Sequence, residues 1–183
     1  MSTERSMKSL NHDDAMKLRQ ADTQLLYEDI ERFLRKAVPL SGIPLTILKG
    51  QLNRVASPKP PFILLQVVYE KSLSLNETRY TSRYKIMRDY SECAIQMDFY
   101  GSDTIASQKM AKSFLVRFND PWASEQFERY GHAIAPLYCQ TITLKGYVTG
   151  ERQFADRSTL QAYFSLSPEF GVSQDSAINL RMV

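Results

Sequence analysis

The sequence predicts an α+β protein: a mainly antiparallel sheet packed by an N-terminal helix and a central helix. Three observations carry this. Cys93, Ile95, Met97 and Phe99 alternate with Ala94, Gln96, Asp98 and Tyr100, the period of two of a strand with one apolar face. Beyond Gly101 the apolar positions Ile105, Ala106, Met110, Ala111, Phe114, Leu115 and Phe118 step by three and four, the stripe of an amphipathic helix. Further alternating or continuous apolar runs flank this strand-helix unit on both sides, and helices beside runs of strands define the class.

The N-terminal stretch, residues 1–22, reads as a polar arm, and 23–183 as a single domain. Leu18, Leu25, Leu26, Ile30, Phe33, Leu34 and Ala37 form the stripe of the first helix, strongest from Thr23 onward. Pro39 ends it, because the residue before a proline is pushed out of the α region. Ser41-Gly42 is a turn and Leu45–Leu48 a short strand. The segment QLNRVASPKPP is irregular, with Pro58, Pro60 and Pro61 opposing both helix and sheet ladder. Phe62–Tyr69, FILLQVVY, is apolar on both faces apart from Gln66, the pattern of a doubly covered central strand.

Residues 71–92 read as an extended hairpin, with a turn marked by Asn76. Tyr80, Tyr84 and Tyr90 are interleaved there with Arg79, Arg83, Lys85 and Arg88, and Tyr69, just before the hairpin, joins them as an interface candidate. Such a stripe serves as a subunit or partner surface, or as edge protection by charge. It also fits a nucleic-acid-binding module in which aromatics stack and cations neutralise phosphate, although Glu77, Asp89 and Glu92 dilute the charge.

In the central unit Ser102 is the expected cap of a helix running from Asp103. Asp120 and Pro121 then open a short second helix with Trp122, Ala123, Phe127 and Tyr130 on one face, and Gly131 stops it. Ile134–Leu144 is a strand interrupted by Pro136, and Gly146 and Gly150 bracket a loop. Within 152–166, Leu160, Ala162, Phe164 and Leu166 alternate with Thr159, Gln161, Tyr163 and Ser165, so one face of this strand is wet or meets a polar partner. SPEFGVSQDS reads as a loop and Ala177–Val183 as a closing strand.

At 183 residues, 43% hydrophobic and 23% charged, the composition is that of an ordinary globular protein. A net charge of +3, from 23 basic and 20 acidic residues, is too mild to imply nucleic-acid binding by itself. No apolar run approaches the roughly 20 residues of a membrane span, and MSTERSMKSLNHDDAMKLRQ lacks the apolar core of a signal peptide. Cys93 and Cys139 fit no metal-ligand spacing and read as reduced core residues, which implies folding in a cytoplasm. His12 and His132 both sit at positions expected to be solvated. No phosphate-loop, dinucleotide, zinc-protease or calcium-loop motif is present. Asp98 is the most prominent lone carboxylate, and an exposed or capping role explains it better than general-base work. The expectation is a non-enzyme with no catalytic residue, metal or cofactor.

Several segments, in order, resemble one phage family. They are Asn53-Arg54-Val55-Ala56-Ser57-Pro58 before the Phe62 strand, Leu73-Ser74-Leu75-Asn76, and Gln96-Met97-Asp98-Phe99-Tyr100-Gly101 with its helix. Arg117-Phe118-Asn119-Asp120, Ala135-Pro136-Leu137-Tyr138, Glu151-Arg152-Gln153-Phe154, Leu160-Gln161 and Ser167-Pro168 follow. Together, over roughly residues 50 to 175, they resemble the neck or tail terminator (tail-completion, head-tail joining) proteins of bacteriophages. The resemblance implies a terminator-like fold and a structural protein of the virion, assembled in the host cytoplasm. It implies a homo-oligomeric ring, commonly a hexamer, at the head-proximal end of the tail tube. The implied partners are the tail tube protein, the head-tail connector or adaptor proteins, and genomic double-stranded DNA passing through the lumen without sequence-specific binding. No membrane and no chemistry are implied.

Overall fold

The computed structural model describes residues 18–40, 42–50, 58–81, 84–140, 143–144, 147–148 and 154–173. In chain order the elements are α1 (Thr23–Ala37), β1 (Thr46–Lys49), β2 (Phe62–Ser72), β3 (Glu77–Tyr80), β4 (Tyr84–Arg88), β5 (Ser91–Tyr100), α2 (Ser107–Phe118) and α3 (Pro121–Tyr130). They are followed by β6 (Ile134–Cys139), β7 (Thr143–Leu144), β8 (Tyr147–Val148), β9 (Phe154–Ala155), β10 (Arg157–Leu166) and β11 (Glu169–Ser173). The α+β class is as the sequence predicts.

The main sheet has the order β1-β2-β5-β10-β6, with β7 also on β10; only β1–β2 is parallel. Its middle is the strand that the alternation marks. Cys93, Ile95, Met97 and Phe99 of β5 are fully buried on the helix side. Register pairs Met97 with Leu65 on one side and Leu160 on the other, and Ile95 with Val67 and Ala162. Phe33 on α1 is the hub of the helical layer. Its ring lies 5.7 Å from Phe114, 5.9 Å from Phe118, 5.3 Å from Trp122 and 5.6 Å from Phe127. Phe114 in turn meets Phe99 at 6.2 Å, and Phe118 and Phe127 meet Phe164, so one aromatic cluster joins three helices to two strands.

The helix ends follow local chemistry except at one place. Asp22 caps α1 by accepting from Leu25 N at 2.8 Å. Asp120 caps α3 with Pro121 in its first turn, and Gly131 ends it in the left-handed region at φ 81°. By contrast α2 starts at Ser107, not Asp103. Ser102 N donates to Ile105 O at 2.8 Å and Ile105 N donates back at 3.1 Å, a tight turn that delays the helix. Ser102 makes no cap. Asp156, just before β10, supplies it instead (Ser107 N to Asp156 Oδ2, 2.6 Å).

Two further expectations are corrected. Phe62–Tyr69 is not uniformly covered: Phe62–Leu65 are buried, but β2 lies second from the sheet edge and is exposed from Val68 onward. The stretch read as a loop after Ser167 contains β11, which pairs antiparallel with β4 in a separate sheet of order β11-β4-β3. Within 71–92, β2 and β5 stay paired down to Ser72 and Ser91, and β3–β4 form a hairpin of their own between them. The expected strand over Ala177–Val183, the arm before Leu18, and Gly146 and Gly150 lie outside the described residues.

Candidate assembly surfaces

The second sheet carries most of the residues singled out from sequence, and its register sorts them onto two faces. On one face lie Tyr84, Ile86 and Arg88 of β4, Glu169 of β11, and Glu77 and Arg79 of β3. Tyr84, Ile86 and Glu169 are buried, so this face turns inward along β4 and β11, while Glu77 and Arg79 on β3 are exposed. Its centre is the Glu169 carboxylate. It accepts from Arg88 through Nε at 3.2 Å and through Nη2, lies 3.5 Å from Arg79 Nη2, and is 3.4 Å from the Arg19 amide. Burial raises the pKa of Glu169, but the Arg88 hydrogen bonds and the Arg88 and Arg79 charges outweigh it, leaving the carboxyl below its ordinary value. Arg88 Nη1 also donates to Tyr90 Oη at 3.2 Å, and Tyr90 Oη donates to Glu77 Oε2 at 2.7 Å. The basic-aromatic stripe is therefore largely an internal ion-pair network. Arg83 lies outside the described residues.

The other face pairs Phe170 with Met87 and Thr78, and Val172 with Lys85 and Tyr80. It faces outward: Tyr80 is 64% exposed and Phe170 57%. The outer end of β2 and the bend after it expose Val68, Tyr69, Leu73 and Leu75, the last 94% exposed. Tyr69 Oη donates to Glu92 Oε1 at 2.7 Å, a bond that pushes the phenol up to about 12.

The helix-free face of the main sheet is mixed, with Glu92 and Asp98 of β5, Lys71 of β2 and Arg157 of β10 among its residues. Gln66, Gln96 and Gln161 are aligned across β2, β5 and β10. In the next pleat in the same direction, register aligns Tyr69, Ala94, Tyr163 and Tyr138, with the Tyr138 and Tyr163 rings stacked at 4.4 Å. Sequence reading expected Asp98 to be exposed or capping, and it is neither. It is buried and accepts from Thr159 Oγ1 at 2.5 Å, Gln96 Nε2 at 3.0 Å and Arg157 Nη2 at 2.8 Å. Three donors on one carboxylate make it a tie between strands.

The sheet edge at β6 is shaped by Pro136, which sits opposite Phe164 where the register shifts by a bulge. Asn119 closes the far end of this strand: Cys139 N donates to Asn119 Oδ1 at 2.9 Å and Asn119 Nδ2 donates to Cys139 O at 3.4 Å. Leu137 and Tyr138 are exposed between them.

His132 is not simply solvated, as its place after Gly131 suggested. The left-handed Gly131 turns the chain back onto α1, and His132 Nδ1 lies 2.8 Å from Oδ2 of the fully buried Asp29. Burial holds the Asp29 carboxyl above its ordinary value, and the His132 hydrogen bond pulls part of that back. His132 borders a cleft of about 310 Å³ lined also by Arg19, Ser124, Glu128 and Ser167. Among the described residues no group of His, Cys, Asp and Glu is arranged to hold a metal, and no helix is long and apolar enough to cross a membrane. Glu169, Asp156 and Asp29 escaped sequence reasoning, because each acts on residues distant in the chain and no local spacing marks it.

No match to the chain was found among curated proteins. A family model described as phage neck terminator protein matches residues 25–181, from α1 through both sheets. The chain therefore belongs to the phage neck terminator protein family, with a structural role in the neck of the virion.

Proposed function

We infer that the protein forms a ring, six-fold as in the resembling family, at the head-proximal end of the tail tube. There it stops tube polymerisation and offers the surface on which the head connector docks, while genomic DNA passes through the lumen. The observation that carries this reading is the family match over residues 25–181, nearly the whole domain. The geometry is compatible with it. A closed ring needs two different complementary patches per subunit, and the chain has exposed apolar surface both on its second sheet and at its β6 edge. The tail tube and connector proteins are its proposed partners.

The pairing of Arg79 and Arg88 with Glu169 and Glu77 weighs against the nucleic-acid reading, since these guanidinium groups are engaged within the chain. Of the described residues expected at an interface, Tyr69, Arg79 and Tyr80 are exposed. Tyr84, Arg88 and Tyr90 instead brace the sheet that presents Tyr80. Immunogold labelling of intact virions with an antibody to the chain tests the placement. Gold at the head-tail junction is expected. Labelling along the tail, at its distal tip or on the capsid would contradict it.

A further inference from the structure

We propose that residues 19–22 are a strap that holds the second sheet at a fixed angle to the main sheet, across a hinge where the strands pass from one sheet to the other. The device belongs to the single chain, whatever that chain assembles into.

The hinge is visible in the register. Ser72, Ser91 and Leu166 form the last aligned row of the main sheet. Glu77, Arg88 and Glu169 form the first row of the second sheet. Between the rows lie residues 73–76, 89–90 and 167–168, so the β2–β3, β4–β5 and β10–β11 connections all cross one line. Among the described residues, the backbone bonds along that line are Leu73 N to Tyr90 O at 2.8 Å and Asp89 N to Pro168 O at 3.1 Å. The apolar cluster that joins the helices to the main sheet includes no described residue of β3, β4 or β11. Short links that share neither a continuous ladder nor a core are where elements pivot.

One stretch bridges the line from outside the strands. Arg19 grips the second sheet: its carbonyl accepts from Glu169 N at 2.8 Å, and its amide lies 3.4 Å from Glu169 Oε2. Gln20 grips the main sheet: its carbonyl accepts from Ala133 N at 2.8 Å, and Ala133 O accepts from Ser167 N at 2.9 Å, beside the hinge. Ala21 packs on the core and Asp22 caps α1. Four consecutive residues therefore tie both sheets and the helical layer together. Arg19 and Gln20 are exposed, and Arg19 borders the cleft beside His132, so backbone hydrogen bonds rather than packing hold this end of the strap. Such bonds are individually modest, and releasing them re-aims the face that carries Phe170, Val172 and Tyr80.

Slackening the strap in the full chain tests this. Three glycines inserted between Arg19 and Gln20 keep every bonding group but separate the two grips, since three extended residues span about 10 Å. The same insertion between Lys17 and Leu18 lies outside the strap and serves as the control. Spin labels on Thr78→Cys in exposed β3 and Lys112→Cys on the exposed side of α2 report the distance from the second sheet to the helices. Cys93 and Cys139 are buried, which leaves the label to the new thiols, and excess unlabelled chain suppresses distances between copies. The wild-type strap and the upstream insertion should each give one narrow distance distribution, and the insertion within the strap should broaden it by several ångströms. A strap insertion as narrow as wild type would overturn the strap, as would equal broadening by both insertions. A broad distribution with the wild-type strap would overturn the fixed angle. Hydrogen exchange of the unaltered chain adds a check that needs no variant. The amides of Glu169, Phe170 and Met87 should exchange together, about tenfold or more ahead of those of Met97 and Ala162. Exchange of all five at one rate would overturn the hinge.

Discussion

Asp156 holds the start of a helix that lies 49 residues before it in the chain. Its Oδ2 accepts from the Ser107 amide and its Oδ1 from the Ser107 hydroxyl, both at 2.6 Å, and that hydroxyl also meets Ser158 Oγ at 2.7 Å. The approach is possible only because Gly101 lacks a side chain: a Cβ there would overlap Asp156 Oδ2 and stand 2.5 Å from the Ser107 nitrogen. The cap thus ties the start of α2 to the start of β10, across the sheet position where β5 ends.

Asp156→Ala should therefore lower stability by about 1–2 kcal/mol, the upper range for a lost helix cap. Gly101→Ala should do at least as much harm through a clash with backbone that cannot move aside. Urea melts of the two variants and of Asp120→Ala, which removes the local cap of α3, measure this directly. An Asp156→Ala loss well under 0.5 kcal/mol would mean the cap contributes little.

Phe114 is fully buried between Phe33, Phe99 and Phe118. Phe114→Ala should cost about 3–5 kcal/mol in the same melts. A loss below about 1 kcal/mol would remove the helical layer from the core account.

Glu169 predicts an acid-sensitive second sheet. Its carboxyl titrates below the ordinary value in the folded chain, so the stability it contributes is present above about pH 4.5 and is lost as pH falls through the folded pKa. Glu169→Gln should be less stable than wild type at pH 7 by about 1–3 kcal/mol, the range for charge-assisted hydrogen bonds. That difference should narrow on acidification. A difference that is flat from pH 7 to pH 3 would show that Glu169 does not titrate against Arg88 and Arg79.

Both cysteines are buried, and burial pushes the Cys93 thiol up to about 11 and the Cys139 thiol up to about 12. Since the thiolate is the nucleophile, a disulfide reagent at pH 8 should leave both unmodified in the native protein and label both in urea. Rapid native labelling of either would mean that its strand opens.

How far the fold could be read from sequence depended on the range of each interaction. The β5 alternation, the α1 stripe, and the Asp120-Pro121 and Gly131 signals of α3 are written within a few residues, and each has its counterpart in the structure. The start of α2 was misplaced because its cap comes from Asp156, far along the chain, while the Ser102–Ile105 turn occupies the local candidate. β11 was hidden because EFGVS is short and mostly exposed beyond Glu169, and becomes a strand only by pairing with β4. The aromatic-basic positions were legible as a group, but the sheet register splits them, with Tyr80 outward and Tyr84 and Arg88 inward around Glu169. Sequence could not show that split, since it depends on β4 having partners on both sides.

The central claim is that this protein ends the tail and joins it to the head. The most direct test is negative-stain electron microscopy of particles from a phage with the gene deleted, beside the same phage complemented with the intact gene. The account predicts filled heads separated from tails that are over-long or ragged at the head-proximal end, with normal virions restored on complementation. Complete virions with tails of normal length in the deletion would contradict it.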